Sequence, residues 1–498
     1  MSPNEVEIKA VVDTMVSLGL RDLGYRYVNL DDGIVSAQRD ANGDLVPDPT
    51  GFPSGFKALA DYIHSQGMLF GVYTDRGSQT CGGRAGAQSH EFQDAAFYAR
   101  NEIDYLKEDS CNAPQDHPTA FHEYGLMRDA LNATGRSFFF SLCGWESWYA
   151  SLCHALGNSC RIGPDDSNWR GVLVDIDAMA PLQVYAGPGA WNDPCLLLGR
   201  DKNGNVDVTD QQGRAQFSMW AIMAAPLLMS SNVRNLTAFQ LETYSNVEVI
   251  AVDQDILGRP GQRLVGGDLS GGGSDTTPTT LQTCVDNSPA QQWSFNTPAT
   301  GYMQNIGSTL CLNTDDCSPN IQMFECILNG PTCCGATCVD NMKFIFNTNG
   351  SITSPSMPGT CLTDNGLGNQ VSLQTCGSSV SQVYTFDATA KTVRGGVNNL
   401  CLTAGSMSNA TQANIWGRPL SDGSWAFTFI NAHPTQPQDL VCDQACLSAT
   451  GWEPEILLSV RDLWAHSYLA NTTAGVGISV SQLAPNGGVE MYKLTPLL

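Results

Sequence analysis

From Tyr25 to Val265 the chain alternates between two hydrophobic periods. Short apolar runs at Tyr25–Leu30, Leu69–Tyr73, Ile103–Lys107 and Ser137–Leu142 have the length and bounds of strands. Between them, Phe56–Gln66, His90–Asn101, Tyr124–Leu131 and Phe217–Leu228 carry the spacing of helices that bury one face. Strand and helix in turn predict an α/β architecture, a parallel sheet wrapped by helices. The pattern stops near residue 268, where Gly266-Gly267-Asp268-Leu269-Ser270-Gly271-Gly272-Gly273-Ser274 has the composition of a flexible linker. Beyond it the helical period disappears and a threefold repeat of short strands begins. Leu281-Gln282-Thr283-Cys284, Met323-Phe324-Glu325-Cys326 and Leu373-Gln374-Thr375-Cys376 open the three units, which close on Cys311-Leu312, Cys361-Leu362 and Cys401-Leu402. Three such units predict a β-trefoil. After residue 412 the runs Ile415-Trp416, Trp425–Ile430, Val460–Trp464 and Val489–Leu494 predict an antiparallel β domain. The expected domains are therefore 1–265, 279–412 and 413–498.

The chemistry gathers where the strands end. In Asp104–Cys111 an apolar run delivers Lys107 and then Asp109 to the carboxyl end of a strand, the face on which a (β/α)8 barrel builds its active site. A carboxylate beside Lys107 is held ionised, as a nucleophile requires. The alternative is a structural Asp that caps a loop. A second carboxylate is available in Arg161-Ile162-Gly163-Pro164-Asp165-Asp166. One nucleophile and one proton donor across a glycosidic bond make a retaining glycosidase, and that reaction needs no metal or organic cofactor. Asp31 and Asp32 follow the first predicted strand and can grip sugar hydroxyls. Taken alone, such a pair is a polar turn.

Composition narrows the partners. Among 498 residues, 49 Asp+Glu stand against 25 Lys+Arg, a formal charge of −24 that repels phosphate backbones and anionic lipid. Nucleic acid and membrane partners are not expected. No apolar run reaches the ~18 residues of a membrane span. The 18 cysteines point to an oxidising compartment. They form no facing C-x2-C pairs of a zinc framework. Cys442 and Cys446 are four residues apart and are expected to bridge a tight loop. Sequons at Asn132, Asn235, Asn349, Asn409 and Asn471 fit secretion. The polar start Met1-Ser2-Pro3-Asn4-Glu5 shows no signal peptide.

Tyr27-Val28-Asn29-Leu30-Asp31-Asp32, Gly71–Asp75, Thr80-Cys81-Gly82-Gly83, Asp104–Cys111, Phe140–Trp145, Tyr185–Pro194 and Met219–Met229 come in one order. Together they resemble the melibiase-type α-galactosidases and α-N-acetylgalactosaminidases of glycoside hydrolase family 27. The likeness covers about residues 5–265 and resumes at Trp416–Trp425. The middle domain resembles the ricin-B type of lectin, its Gln-x-Trp signature complete only at Gln291-Gln292-Trp293. The resemblance implies a (β/α)8 barrel, an inserted trefoil and a C-terminal antiparallel β-sandwich. It implies Asp109 as nucleophile and Asp165 as acid/base. Asp31 and Asp32 would hold the galactose 4- and 6-hydroxyls, Lys107 and Arg161 would position sugar and carboxylates, and Tyr73 would line the pocket. It also implies a Cys81–Cys111 disulfide, an α-galactoside substrate, a glycan ligand for the trefoil, and a secreted, lysosomal or vacuolar enzyme.

Several positions depart from the family pattern. The opening strand with its Gly-Trp-Asn-Ser-Trp type motif is absent, so the barrel is expected to lack its first strand and the chain to be truncated. Gly33 replaces a Cys, Cys160 a Trp and Cys195 an Asp. Cys143 can pair with Cys153 or Cys160, and the spacing does not choose. Gly144 stands where galactosidases commonly carry Glu, and so leaves room for a 2-acetamido group. An α-N-acetylgalactosaminidase, a β-L-arabinopyranosidase and a carbohydrate-binding protein with a dead barrel are the competing expectations.

Overall fold

The computed structural model describes residues 3–201, 204–270, 279–295, 301–307, 310–314, 319–324, 341–404 and 412–497. Two compact units divide the chain: Met1–Val265 with Ala413–Leu498, and Gly266–Gln412.

The first unit opens with helix α1 (Glu5–Ser17), where the Asn4 side chain accepts from the Glu7 amide. Six strands follow: β1 (Tyr27–Asn29), β2 (Leu69–Asp75), β3 (Tyr105–Asp109), β4 (Phe139–Leu142), β5 (Ser159–Arg161) and β6 (Trp191–Asp193). They pair in parallel and in chain order, β1 to β6. Parallel neighbours need crossovers, and helices α2 (Gly55–Ser65), α3 (Glu91–Arg100), α4 (His117–Ala133), α5 (Cys153–Leu156) and α6 (Trp169–Met179) lie along them. β2 is buried on both faces from Phe70 to Asp75, as a helix-covered parallel strand must be. Phe56 on α2 packs edge-on against Phe70 of β2 and Phe97 of α3, which welds the helical layer to the sheet.

Beyond β6 the parallel ladder thins to one bridge, Leu197 with Met229. Pro194 and Pro226 interrupt both segments, and a proline cannot donate to a ladder. Helix α7 (Asp210–Met223) begins in a capping box, with Thr209 and Gln212 each accepting the other's amide. It stops where Ala224 adopts a left-handed φ of 56°, two residues before Pro226. Helices α8 (Ala238–Tyr244) and α9 (Val247–Asp253) lead to strand β7 (Gln262–Val265).

β7 pairs antiparallel with Ala413–Pro419, the strand on the far side of the second unit in sequence. The strands Trp425–Asn431, Gly488–Pro496 and Leu457–Asp462, with the short Ser467–Tyr468 and Thr472–Thr473, complete that sheet, and Gln438–Cys442 with Ile478–Leu483 make a second. Ile415, Phe427, Phe429, Leu458 and Leu494 fill the core. Buried Arg418 donates to the carbonyls of Ala221 at 2.6 Å and Asp253 at 3.2 Å, which fastens this β region to α7 and α9. The Cys442–Cys446 disulfide is present.

The second unit is built of antiparallel strands around Leu281, Trp293, Leu312, Phe344, Leu362, Tyr384 and Leu402. Its repeat is structural as well as sequential. Gln291 donates to the Thr283 carbonyl and accepts from the Val285 amide. Gln382 does the same to Thr375 and Gly377 one unit later. Each glutamine therefore staples the turn before its aromatic residue. Disulfides join Cys284 to Cys401 and Cys361 to Cys376. The pairing within Cys317–Cys338 and the Asn409 sequon lie outside the described residues. Among the described residues no helix is long and apolar enough to cross a membrane.

Candidate active site

The register of β2 against β3 sets Tyr73 beside Lys107 and Asp75 beside Asp109. Side chains two apart on a strand share a face, so all four emerge together at the carboxyl ends, while Thr74 and Glu108 turn the other way. Asp109 is buried, at 5% exposure. The Tyr73 hydroxyl donates to Asp109 Oδ2 at 3.0 Å, the Ser110 amide donates to Oδ1 at 3.0 Å, and Lys107 Nζ lies 4.0 Å from Oδ2. Burial pushes the Asp109 carboxyl up to about 6, against Lys107 and Tyr73, which pull it down. Burial and the Asp109 charge push the Tyr73 phenol far upward, so it remains a donor.

Lys107 Nζ also donates to Asp31 Oδ2 at 2.7 Å and lies 5.4 Å from the centre of the Tyr73 ring. Burial opposes its charge, yet Asp31 and Asp109 together hold the ammonium above its ordinary range. Asp32 is engaged differently. Its Oδ2 accepts the Gly82 amide at 2.6 Å and its Oδ1 the Gly33 amide at 2.6 Å, which ties the loop after β1 to the loop after β2. Gly33 has a φ of 92°, a conformation that suits glycine.

A second group surrounds Arg161 at the end of β5. The guanidinium is buried, pairs with Asp165 at 2.8 Å, and donates to the Pro164 carbonyl at 2.6 Å. Asp165 itself is open, with 71% of its side chain exposed. Cys143, just past β4, lies 3.7 Å from Arg161 Nη1 and within the field of Lys107, so it stands between the two groups.

The Cys81–Cys111 disulfide joins the loops after β2 and β3, with the Tyr73 hydroxyl 3.1 Å from Cys81 Sγ. Asp75, Cys81, Asp109 and Cys111 have their ligand atoms within 4.8 Å of one another. Two of those atoms are disulfide sulfurs without thiolate charge, and Asp75 already accepts the Gly77 and Cys111 amides. The cluster is therefore a brace for the strand ends. Asp75 escaped the sequence reading, although its alternation with Tyr73 pointed to the same face.

Residues 4–255 match the family described as Alpha galactosidase A. The chain belongs to the melibiase-type α-galactosidase family. The family's C-terminal β-sandwich domain matches residues 410–494, and a ricin-type β-trefoil lectin domain matches 299–426. Alpha-galactosidase 3 of Arabidopsis thaliana is 46% identical over 263 residues, which are 52% of this chain and 59% of that protein. The Dictyostelium discoideum protein named probable alpha-galactosidase is 38% identical over 316 residues, 59% of this chain and 80% of that one. The crystal structure of alpha-galactosidase I from Mortierella vinacea superposes with a TM-score of 0.65 at 21% identity, over 99% of this chain and 93% of that one. At that identity the likeness is one of fold.

Within the melibiase family this chain's departures now have geometry. Cys153 pairs with Cys160, so Cys143 pairs with neither and is a buried free thiol, as is Cys195. The room expected beside Gly144 is taken. A Cβ on Gly144 would lie 2.0 Å from Tyr149 Cε2 and 2.5 Å from its hydroxyl, and the Tyr149 ring is buried against Trp148 and Tyr124. Gly144 thus serves the close approach of an aromatic ring and leaves no hollow on that side.

Proposed function

We propose that the chain is a retaining exo-α-galactosidase in which Asp109 is the nucleophile and Asp165 the acid/base. The observation that carries this reading is Asp109 at the end of β3, held by Tyr73 and Lys107 within a melibiase-family domain. The Asp109 carboxylate attacks the anomeric carbon while Asp165 protonates the departing glycosidic oxygen, which gives a covalent galactosyl-enzyme. Asp165 then takes a proton from water as the water attacks that carbon, and Asp109 leaves with its electron pair. The exposure of Asp165 suits a group that meets the leaving aglycone and then solvent. Lys107 and Asp31 offer paired charge for the sugar hydroxyls, and Asp32 sets the loop that carries Asp31.

Tyr149 packed on Gly144 favours a galactoside with a free 2-hydroxyl over a 2-acetamido sugar. The disulfides support an oxidising compartment, secreted or vacuolar. The trefoil would hold the enzyme near glycan. The test is hydrolysis of paired aryl α-galactoside and aryl α-N-acetylgalactosaminide by wild type and Asp109→Asn, with the first-formed anomer followed by NMR. Turnover of the galactoside with retention, lost in Asp109→Asn, is expected. Activity that survives the substitution removes Asp109 from the role.

A further inference from the structure

Behind the Arg161–Asp165 arm lies a buried pair of acids. Asp166 ends the arm, and Asp175 comes from the middle of α6. Their carboxyl groups face each other at hydrogen-bonding range, at 9% and 1% exposure. Asp166 Oδ1 and both Asp175 oxygens are buried and receive no N–H or O–H donor among the described residues. The remaining oxygen, Asp166 Oδ2, accepts from the Gln216 amide of α7 at 3.4 Å, and the Cys195 thiol also donates to the Asp166 carboxyl. Asp175 Oδ1 also fills the place of a side chain on Gly163, lying 2.5 Å from where a Cβ would be. The pair is thus wedged against the backbone of the arm itself.

Two carboxylates with so few donors are not stable side by side in such a place, and one proton between them supplies the missing hydrogen bond. The charged and titratable groups facing the pair are Arg161 on β5, Asp165 on the arm, Asp193 on β6 and Cys195 beyond it. Cys195 is a buried thiol that burial keeps neutral. Arg161 Nε is buried and also without a partner.

We propose that Asp166 and Asp175 share one proton and act as positioning residues that leave Arg161 free to hold Asp165. While the proton is present, the pair carries one charge spread over four oxygens, and the guanidinium serves the acid/base. When the proton leaves, the pair becomes a double anion and takes the idle Arg161 Nε–H, which draws the guanidinium off Asp165. The proposal rests on Asp165 as acid/base, and its test has one arm that needs no activity. Burial, together with the Asp166 charge, pushes Asp175 upward, and burial likewise raises Asp166. A carboxyl raised in the native state contributes stability at low pH that is lost as pH climbs through its native value.

The experiment compares wild type, Asp175→Asn and Asp175→Leu by Tm from pH 5 to 8 and by the pH profile of kcat/KM on an aryl α-galactoside. The Asn amide permanently donates the bond that the shared proton makes. Asp175→Asn is expected to flatten the wild-type fall in Tm by a few °C across this range. It is also expected to move the basic limb of kcat/KM up by about one pH unit with the pH 5 value preserved. Asp175→Leu leaves Asp166 alone with Arg161 and is expected to lose activity at every pH, a loss that Asp175→Asn rescues. Unchanged Tm slope and unchanged basic limb in Asp175→Asn overturn the proposal. Failure of both Asp175→Asn and Asp166→Asn to fold at pH 5 also overturns it, because each amide keeps the shape and the bond. Absence of galactosidase activity in wild type would instead refute the enzyme reading, with the Tm arm still deciding the shared proton.

Discussion

At the scale of single residues, Asp109, as the proposed nucleophile, has to be ionised and sits where burial resists ionisation. Its carboxyl is pushed up to about 6, so the active fraction grows as pH rises through that value. The acid limb of kcat/KM on an aryl α-galactoside is therefore expected near pH 6. Tyr73→Phe removes a donor that favours the charged form. That limb should move to higher pH, with a loss of about tenfold to a hundredfold at pH 5. An unmoved limb would detach it from Asp109. The same burial makes the charge costly to the fold: a raised native carboxyl gives up stability between its ordinary value and about pH 6. Asp109→Asn should thus lower kcat by at least about a thousandfold while leaving Tm at pH 7 equal to or above wild type. A lower Tm would mark Asp109 as a structural cap. Lys107 and Asp109 were legible in the sequence because strand alternation puts them on one face at a strand end, whereas Tyr73 came from the family resemblance. Asp166 and Asp175 were not, since one reads as a polar turn and the other as a polar position in an amphipathic helix. Only the fold of the arm back onto α6 brings them together.

At the scale of elements, the alternation of period two and period 3.6 located β1 to β4, α2 and α3 to within a few residues, while α7 begins seven residues before the run Phe217–Leu228 that signalled it. Cues of that kind are local, and they fail where pairing is not. Leu197 and Met229 meet through one bridge because prolines thin the ladder on both sides, which no window of apolar residues reports. Disulfide choice is another such case: β5 carries Cys160 to Cys153 and away from Cys143, a matter of strand position and not of spacing. The Cys81–Cys111 bridge closes a loop of sequence separation 30 that contains α3 and the whole of β3. Replacing both cysteines by Ser is expected to cost about 3 kcal/mol, seen as a lower urea midpoint. Because the bridge also fixes Cys111, whose amide Asp75 accepts, and Cys81, beside the Tyr73 hydroxyl, kcat/KM should fall even where the double variant is fully folded. Full activity in the folded variant would reduce the bridge to a staple with no bearing on the site.

At the scale of the whole molecule, the chain leaves the melibiase body at Val265 and re-enters it at Ala413, and these ends belong to neighbouring strands: Val265 is the register partner of Ile415. The trefoil is therefore an insertion at a hairpin position, with its own core and its own disulfides. A body whose strands already pair across the gap does not need the insert in order to close. Removing residues 267–411 and joining Gly266 to Gln412 through a short Gly/Ser turn should give a folded protein, since hairpin loops of about 2–5 residues suffice. Its kcat/KM on a soluble aryl α-galactoside should equal that of the full chain, because Asp109, Lys107, Tyr73, Arg161 and Asp165 all lie before the insertion. On an insoluble α-galactosylated polysaccharide the rate should drop by about tenfold or more, as the effective concentration supplied by a second binding module is lost. Equal loss on both substrates would mean that the trefoil supports the barrel directly. Equal retention on both would leave it without a part in substrate capture, and any ligand of the trefoil would then have to be sought apart from the substrate.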